Sequence, residues 1–297
     1  MYHQPVMLNE CIEGLQIKPC GTYVDVTFGG GGHSVQILKK LTDGRLIAFD
    51  QDQDATSNII DDKRLTLINH NFRYLKQFLK YYQALPVDGI LADLGVSSHQ
   101  IDSPERGFST RSGGELDLRM NRRQKFSALT IVNTYTEEEL AGLFKKFGEL
   151  ANSRALADAL VKSRTYGKII TFEDLKEALG RFAPKNQENK FFAQVMQALR
   201  IEVNKELDAL KEMLMQASEV LKSGGRLVVL SYHSLEDRLV KNFIKTGNFE
   251  GEIKTDFFGN RNLPFRAINT KPMMPSTDEI RLNNRARSAK LRIAEKL

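Results

Sequence analysis

Four consecutive glycines, Gly29–Gly32, stand between an apolar run, Val24-Asp25-Val26-Thr27-Phe28, and a segment that reads as helical, Val35-Gln36-Ile37-Leu38. Glycines let the backbone turn sharply and let a ligand approach main-chain atoms that a Cβ would block. The order strand, glycine turn, helix therefore predicts an α/β sheet with a nucleotide-like ligand at this turn.

Three glycine-loop chemistries compete. A phosphate-binding loop needs GxxxxGK[ST], and neither Lys-Ser nor Lys-Thr follows these glycines. A dinucleotide fingerprint needs GxGxxG, but the sixth position is Ser34 counted from Gly29 and Val35 counted from Gly30. S-adenosylmethionine has no pyrophosphate to neutralise; it carries a sulfonium, an amino-acid end, a ribose and an adenine. A carboxylate ending the first strand, Asp25, suits its cationic parts. The segment Arg45-Leu46-Ile47-Ala48-Phe49-Asp50 supplies an acid for the ribose hydroxyls, roughly twenty residues after the loop.

The chain has 297 residues, 41% of them hydrophobic, ample for one large domain or one domain plus an insertion. Apolar runs fall short of the ~20 residues of a bilayer span, and the N-terminus lacks a secretory pattern. Two cysteines, Cys11 and Cys20, without a CxxC pair, and five dispersed histidines predict no metal site and a reduced, cytoplasmic setting. The net charge of +6 equals the excess carried by Lys254 to the end, which holds ten Lys and Arg against four acids. Such a basic flank suits a phosphate backbone, and a solvated basic tail explains it equally well.

Strand candidates at Thr22–Thr27, Arg45–Phe49, Arg64–Asn69 and Val87–Asp93 alternate with helix candidates at Ser34–Leu41, Asp54–Ile60 and Phe72–Leu85. This predicts a parallel, Rossmann-like sheet with ligands beyond the carboxyl ends of its strands, where Asp25, Asp50, His70 and Asp93 fall. From Ser109 to Asn204 the pattern is helical. Thr136-Glu137-Glu138-Glu139 and Thr171-Phe172-Glu173-Asp174 read as helix starts, with further helices at Leu150–Val161, Phe191–Leu199 and Val203–Leu221. A strand returns at Arg226–Ser231, a helix at Leu235–Ile244, and Ala289–Ala294 reads as a final edge strand. The expected organisation is an α/β domain, 1–108 and 205–297, interrupted by an all-helical domain, 109–204, placed to read a substrate.

Asp93, ending the fourth strand, is the candidate to orient an amine for methyl transfer. A carboxylate accepting one N–H of an exocyclic amine turns its lone pair toward the methyl group. The familiar tetrapeptide for that task is [DNS]-P-P-[YF]; here it is Asp93-Leu94-Gly95-Val96, so a role in holding the cofactor or the loop stays open. In Ser231-Tyr232-His233-Ser234-Leu235-Glu236-Asp237-Arg238, Ser234 reads as an N-cap with Asp237 at N3. Tyr232 and His233 lie on the catalytic edge as candidates to stack on or hydrogen-bond a base.

These segments together resemble the bacterial ribosomal RNA small subunit methyltransferase H family, the 16S rRNA cytosine-N4 methyltransferases. The resemblance runs nearly end to end: HQPVMLNE (His3–Glu10), TFGGGGHS (Thr27–Ser34), DGILADLGVSSHQ (Asp88–Gln100), ERGFS (Glu105–Ser109), GELDLRM (Gly114–Met120), QALRIEVNKEL (Gln197–Leu207), GGRLVVLSYHSLEDR (Gly224–Arg238) and RARSAKLRIAEK (Arg285–Lys296). It departs where His99 replaces the usual Pro and Tyr232 a common Phe. The resemblance implies a class I S-adenosylmethionine methyltransferase sheet with a helical insertion. It also implies a cytidine of the decoding centre of the small ribosomal subunit, in the P-site region, as substrate. By match, cofactor contacts fall on Gly31, Gly32, His33, Asp50, Phe72, Asp93 and Gln100, beside Asp25. Arg106, Arg111, Arg119, Arg285 and Arg287 are candidates to grip RNA phosphates. The expected partner is 16S rRNA within the small subunit, with no membrane; a homodimer is left open. A ribosome-assembly RNA-binding protein that keeps this fold without turnover is the alternative, against which Asp25, Asp50 and Asp93 argue. Methylation of a protein or small-molecule amine leaves the basic tail unexplained.

Overall fold

The computed structural model describes residues 5–110, 113–255, 259, 261 and 263–297. The chain divides into two compact units, Met1–Gly95 with Leu207–Leu297, and Val96–Glu206.

The first unit carries a seven-stranded sheet. Its strands are β1 (Thr22–Asp25), β2 (Arg45–Phe49), β3 (Leu65–Ile68), β4 (Val87–Asp93), β5 (Leu221–Ser231), β6 (Phe265–Ala267) and β7 (Lys290–Lys296), in the spatial order β3-β2-β1-β4-β5-β7-β6. The first five are parallel; β7 runs antiparallel to both β5 and β6. This is the Rossmann-like α/β sheet expected. Both faces are buried, as parallel pairing requires. Along the strands, residues alternate between two cores. Val24, Ile47, Ile90, Leu227 and Val229 face one, with Leu75 and Leu79 of the helix Leu75–Tyr81 and Leu210, Met213 and Leu214 of the helix Glu206–Val220. Tyr23, Leu46, Leu91, Val228 and Leu230 face the other, with Leu15 of the helix Leu8–Leu15 and Ile37 and Leu38 of the helix Gly32–Lys40.

Several local expectations change. β7 is interior rather than an edge: β5 binds one side of it from Arg226↔Glu295 to Ser231↔Lys290, and β6 the other. Asp54–Ile60 is replaced by a 3-10 turn at Gln53–Asn58. The expected helix Val203–Leu221 begins only at Glu206, because Lys205 adopts a left-handed backbone (φ +50°) that ends the preceding helix at Asn204.

The second unit is helical, with helices at Ser98–Asp102, Ala128–Thr134, Glu137–Gly148, Ser153–Ser163, Phe172–Leu179 and Glu188–Asn204. Thr136 with Glu139, and Thr171 with Asp174, form reciprocal capping boxes. Leu140, Phe144, Leu156, Leu160, Leu175, Phe192, Val195 and Leu199 fill its core. The unit begins at Val96 rather than at residue 109. One reason is that Arg106 ties the stretch before 109 to the residues after it. Its carbonyl accepts the Leu118 N–H, and its guanidinium donates to the carbonyls of Arg119 (3.0 Å) and Met120 (3.2 Å). Among the described residues, no helix is long and apolar enough to cross a membrane.

Candidate active site

The glycine turn is built as its sequence demands. Gly29 and Gly31 adopt positive φ (+52° and +75°), and the helix Gly32–Lys40 starts directly after them. Asp25, at the end of β1, holds this turn from beneath. Its Oδ1 accepts from the Thr27 N–H (3.1 Å) and hydroxyl (3.4 Å), and its Oδ2 accepts from the Ser34 hydroxyl at 2.7 Å. It is 1% exposed. Burial raises its carboxyl above the ordinary carboxylate range, against His33, Ser34 and Thr27, which pull it down. Buried and with three donors already bound, Asp25 acts as the post of the loop.

Asp50, just beyond β2, binds the other side of the turn. Its Oδ2 accepts from Gly29 N–H at 2.7 Å and its Oδ1 from Asp52 N–H at 2.8 Å. It is half-buried, and each oxygen keeps a lone pair. Burial pushes its carboxyl up to about 6 in spite of the two donors, with Asp52 and Asp25 adding to the rise.

Asp93 ends β4. Its backbone N–H donates to the Thr27 hydroxyl oxygen at 2.7 Å, which locks β4 to the loop. Its Oδ1 accepts from the Tyr232 hydroxyl at 2.7 Å. Its Oδ2 lies 3.8 Å from His33 Nδ1, and the carboxylate side chain is 24% exposed. His33 is buried, with Nε2 3.2 Å from the Val6 carbonyl. A carbonyl only accepts, so Nε2 carries a hydrogen and Nδ1 is the nitrogen that faces Asp93. Burial raises the Asp93 carboxyl above its ordinary range; His33 and the Tyr232 hydroxyl oppose this, while Asp25 and Glu236 add to it.

Tyr232 and His233 follow β5. Glu236, 3% exposed, accepts the Tyr232 N–H at its Oε2 (3.0 Å). His233, not Ser234, is the N-cap of the helix Ser234–Thr246: its Nδ1 accepts the Glu236 N–H at 3.4 Å. The frame shifts by one because the His233 ring nitrogen accepts the N–H at 236 while Glu236 reaches back to the Tyr232 N–H. Asp237 instead takes Arg292 of β7 at 2.6 and 3.2 Å.

Asp25, His33, Asp93 and Tyr232 thus converge, with Asp50 joined through the glycine loop. Gly32 sits against Pro5, where a Cβ would lie 2.2 Å from its Cγ. Phe72 is half-buried at the start of the 3-10 turn Phe72–Tyr74 and packs on the sheet core. His70 packs its ring on Tyr74 and Phe78. Gln100 belongs to the helical unit, where its Oε1 accepts the Ser97 N–H at 3.1 Å in a capping box. Arg106 is 0% exposed, which corrects its assignment as a phosphate contact: a guanidinium closed off from water binds carbonyls instead. Arg119 is held by Asp117 (2.5 and 2.9 Å), and Arg111 lies outside the described residues. Arg285 and Arg287 are exposed on the 3-10 turn Asn284–Ser288. Part of the basic tail is neutralised within its own unit, since Arg266 pairs with Glu295 and Arg292 with Asp237.

Sequence reasoning missed Thr27 and Glu236. Thr27 had a signal: an Asp two residues before a Thr is an Asx-turn pattern. The Val6 carbonyl that fixes the His33 ring had none.

This arrangement, carboxylates at three strand ends around a glycine turn, is that of a small-molecule-binding α/β enzyme. The chain belongs to the MraW methylase family, whose model matches residues 1–297. A protein of Flavobacterium johnsoniae named ribosomal RNA small subunit methyltransferase H is 56% identical over 297 residues, covering 100% of this chain and 98% of that protein. Proteins of the same name from Flavobacterium psychrophilum (98% of this chain, 100% of that protein) and Parabacteroides distasonis (100% and 98%) are each 58% identical.

Proposed function

We propose that this protein is an S-adenosylmethionine-dependent methyltransferase that methylates N4 of a cytidine in 16S rRNA, in the decoding centre of the small ribosomal subunit. The observation that carries the reading is Asp93: a carboxylate fixed to the glycine loop through Thr27, with one oxygen held by Tyr232 and the side chain still partly open. The family membership and the relatives' names support the rRNA substrate.

The donor set fits the cofactor. Carboxylates at Asp50 and Asp93 would repel a phosphate and suit a ribose diol and a cation. When bound, S-adenosylmethionine supplies a methyl group on a cationic sulfur, open to displacement by an amine lone pair. Asp50 would accept the ribose hydroxyls through its remaining lone pairs. Asp25 adds negative potential from beneath the loop. Asp93 Oδ2 accepts one N–H of the cytosine amine, so the nitrogen lone pair is held out of conjugation with the ring, and such orientation supplies several kcal/mol. The N–CH3 bond forms as the S–CH3 bond breaks to a neutral thioether, and the cationic methylated amine left behind is acidic enough to lose a proton to water without a dedicated base. Arg285 and Arg287 contact RNA phosphates.

The test incubates the full chain with methyl-labelled cofactor and small subunits isolated from a strain lacking the modification, then digests the rRNA for mass spectrometry. Label in a single N4-methylated cytidine is expected. Absence of label from rRNA sinks the reading.

A further inference from the structure

We propose that Tyr232 is a positioning residue for Asp93: it fixes which carboxylate oxygen meets the substrate amine, rather than stacking on the base. This rests on the Asp93 role proposed above and deepens it.

The contact is built from both ends. Glu236 grips the Tyr232 N–H at 3.0 Å, and the residue after it caps the helix Ser234–Thr246, so the tyrosine backbone is fixed. From there the hydroxyl reaches Asp93 Oδ1 at 2.7 Å. Burial and the Asp93 charge hold the phenol well above its ordinary range, so it remains a donor. Oδ2 faces His33 Nδ1 at 3.8 Å, too far for a hydrogen bond. One oxygen is therefore committed and the other is left for an N–H. The carboxylate cannot rotate about its Cβ–Cγ bond without breaking the Tyr232 contact. The titratable groups whose charge acts between them and Asp93 are His33 from the helix Gly32–Lys40, Asp25 from β1, Cys11 from the helix Leu8–Leu15, and Tyr232 and Glu236 beyond β5. Among them, Tyr232 is the one whose hydroxyl donates to Asp93 within hydrogen-bond distance. A phenylalanine here would fill the same space and leave Oδ1 unheld.

The test compares Tyr232→Phe and Asp93→Asn with the wild-type chain in methyl transfer to unmodified small subunits, across the acidic limb of the kcat–pH profile. Tyr232→Phe is expected to lower kcat on the order of tenfold and to leave the cofactor KM within about twofold. It is also expected to move the acidic limb to higher pH by about one pH unit, because a donor to the ionised carboxylate is lost. A role confined to packing would not move the limb. Replacing Tyr232 by 3-fluorotyrosine, which keeps the ring and strengthens the donor, is expected to move the limb to lower pH. Should Asp93→Asn abolish turnover while both Tyr232 variants keep the wild-type limb, the positioning role is overturned and the Asp93 reading stands. Wild-type turnover by Asp93→Asn overturns both.

Discussion

The proposed assignment of Asp50 to the ribose predicts a pH signature for cofactor binding. Its carboxyl, pushed up to about 6 by burial, titrates within an accessible range. Ionised, it offers a lone pair on each oxygen to a ribose diol; protonated, it loses an acceptor site and becomes a donor. Affinity should be constant above pH 7 and fall toward tenfold per pH unit below 6. Between pH 7.5 and pH 5 the ionised fraction drops to about one-eleventh. The dissociation constant should therefore rise on the order of tenfold, about 1.4 kcal/mol. Folding responds with the opposite sign. The folded value lies above the ordinary 3.8, so the group's contribution to stability is fully present below pH 3.8 and lost as the pH rises through 6. Holding the ionised carboxylate at neutral pH costs on the order of 3 kcal/mol. Titration calorimetry with S-adenosylhomocysteine from pH 5 to 7.5, on wild type and Asp50→Asn, measures the first effect; urea unfolding over the same range measures the part of the second that falls there, about 1.4 kcal/mol. The wild-type slope should be absent in Asp50→Asn. A flat wild-type dissociation constant, or an equal slope in the variant, refutes the assignment of Asp50 to the ribose.

Other outcomes follow from single contacts. Arg106→Met should destabilise the protein by about 3 kcal/mol in chemical unfolding, since carbonyls lose a buried charged donor, and should leave the salt dependence of rRNA binding unchanged. Arg287→Ala should leave the melting temperature within about 1 °C and reduce the log–log salt slope of rRNA binding by about one; an unchanged slope removes Arg287 from the RNA contact. Gly32→Ala should lower stability by about 1–3 kcal/mol, because its Cβ would displace Pro5, and the N-terminal segment should become more sensitive to proteolysis.

What the sequence reveals depends on how local the cause is. The parallel sheet and its acidic strand ends are legible because alternating apolar runs place Asp25, Asp50 and Asp93 at corresponding positions. The capping boxes at Thr136 and Thr171 are legible for the same reason, as their partners lie three residues away. Arg106 misleads because an arginine reads as a surface charge; its burial follows from carbonyls thirteen and fourteen residues on. The interior place of β7 depends on β6, a short strand with weak patterning. The Tyr232–Asp93 bond spans 139 residues and exists only once the sheet has brought β4 and β5 together. Sequence spacing marked both residues for the site, but not the bond between them.

The position of β7 also imposes an order on assembly. β5 pairs with β4 on one side and with β7 on the other, and among the described residues β6 joins the sheet through β7. As the chain emerges from a translating ribosome, one edge of β5 stays open until the segment Lys290–Lys296 has cleared the exit tunnel. Until then that edge, with its row of unpaired N–H and C=O groups, is a template for pairing with another chain. Truncation before residue 290 should therefore yield a chain prone to self-association rather than a smaller version of the same fold.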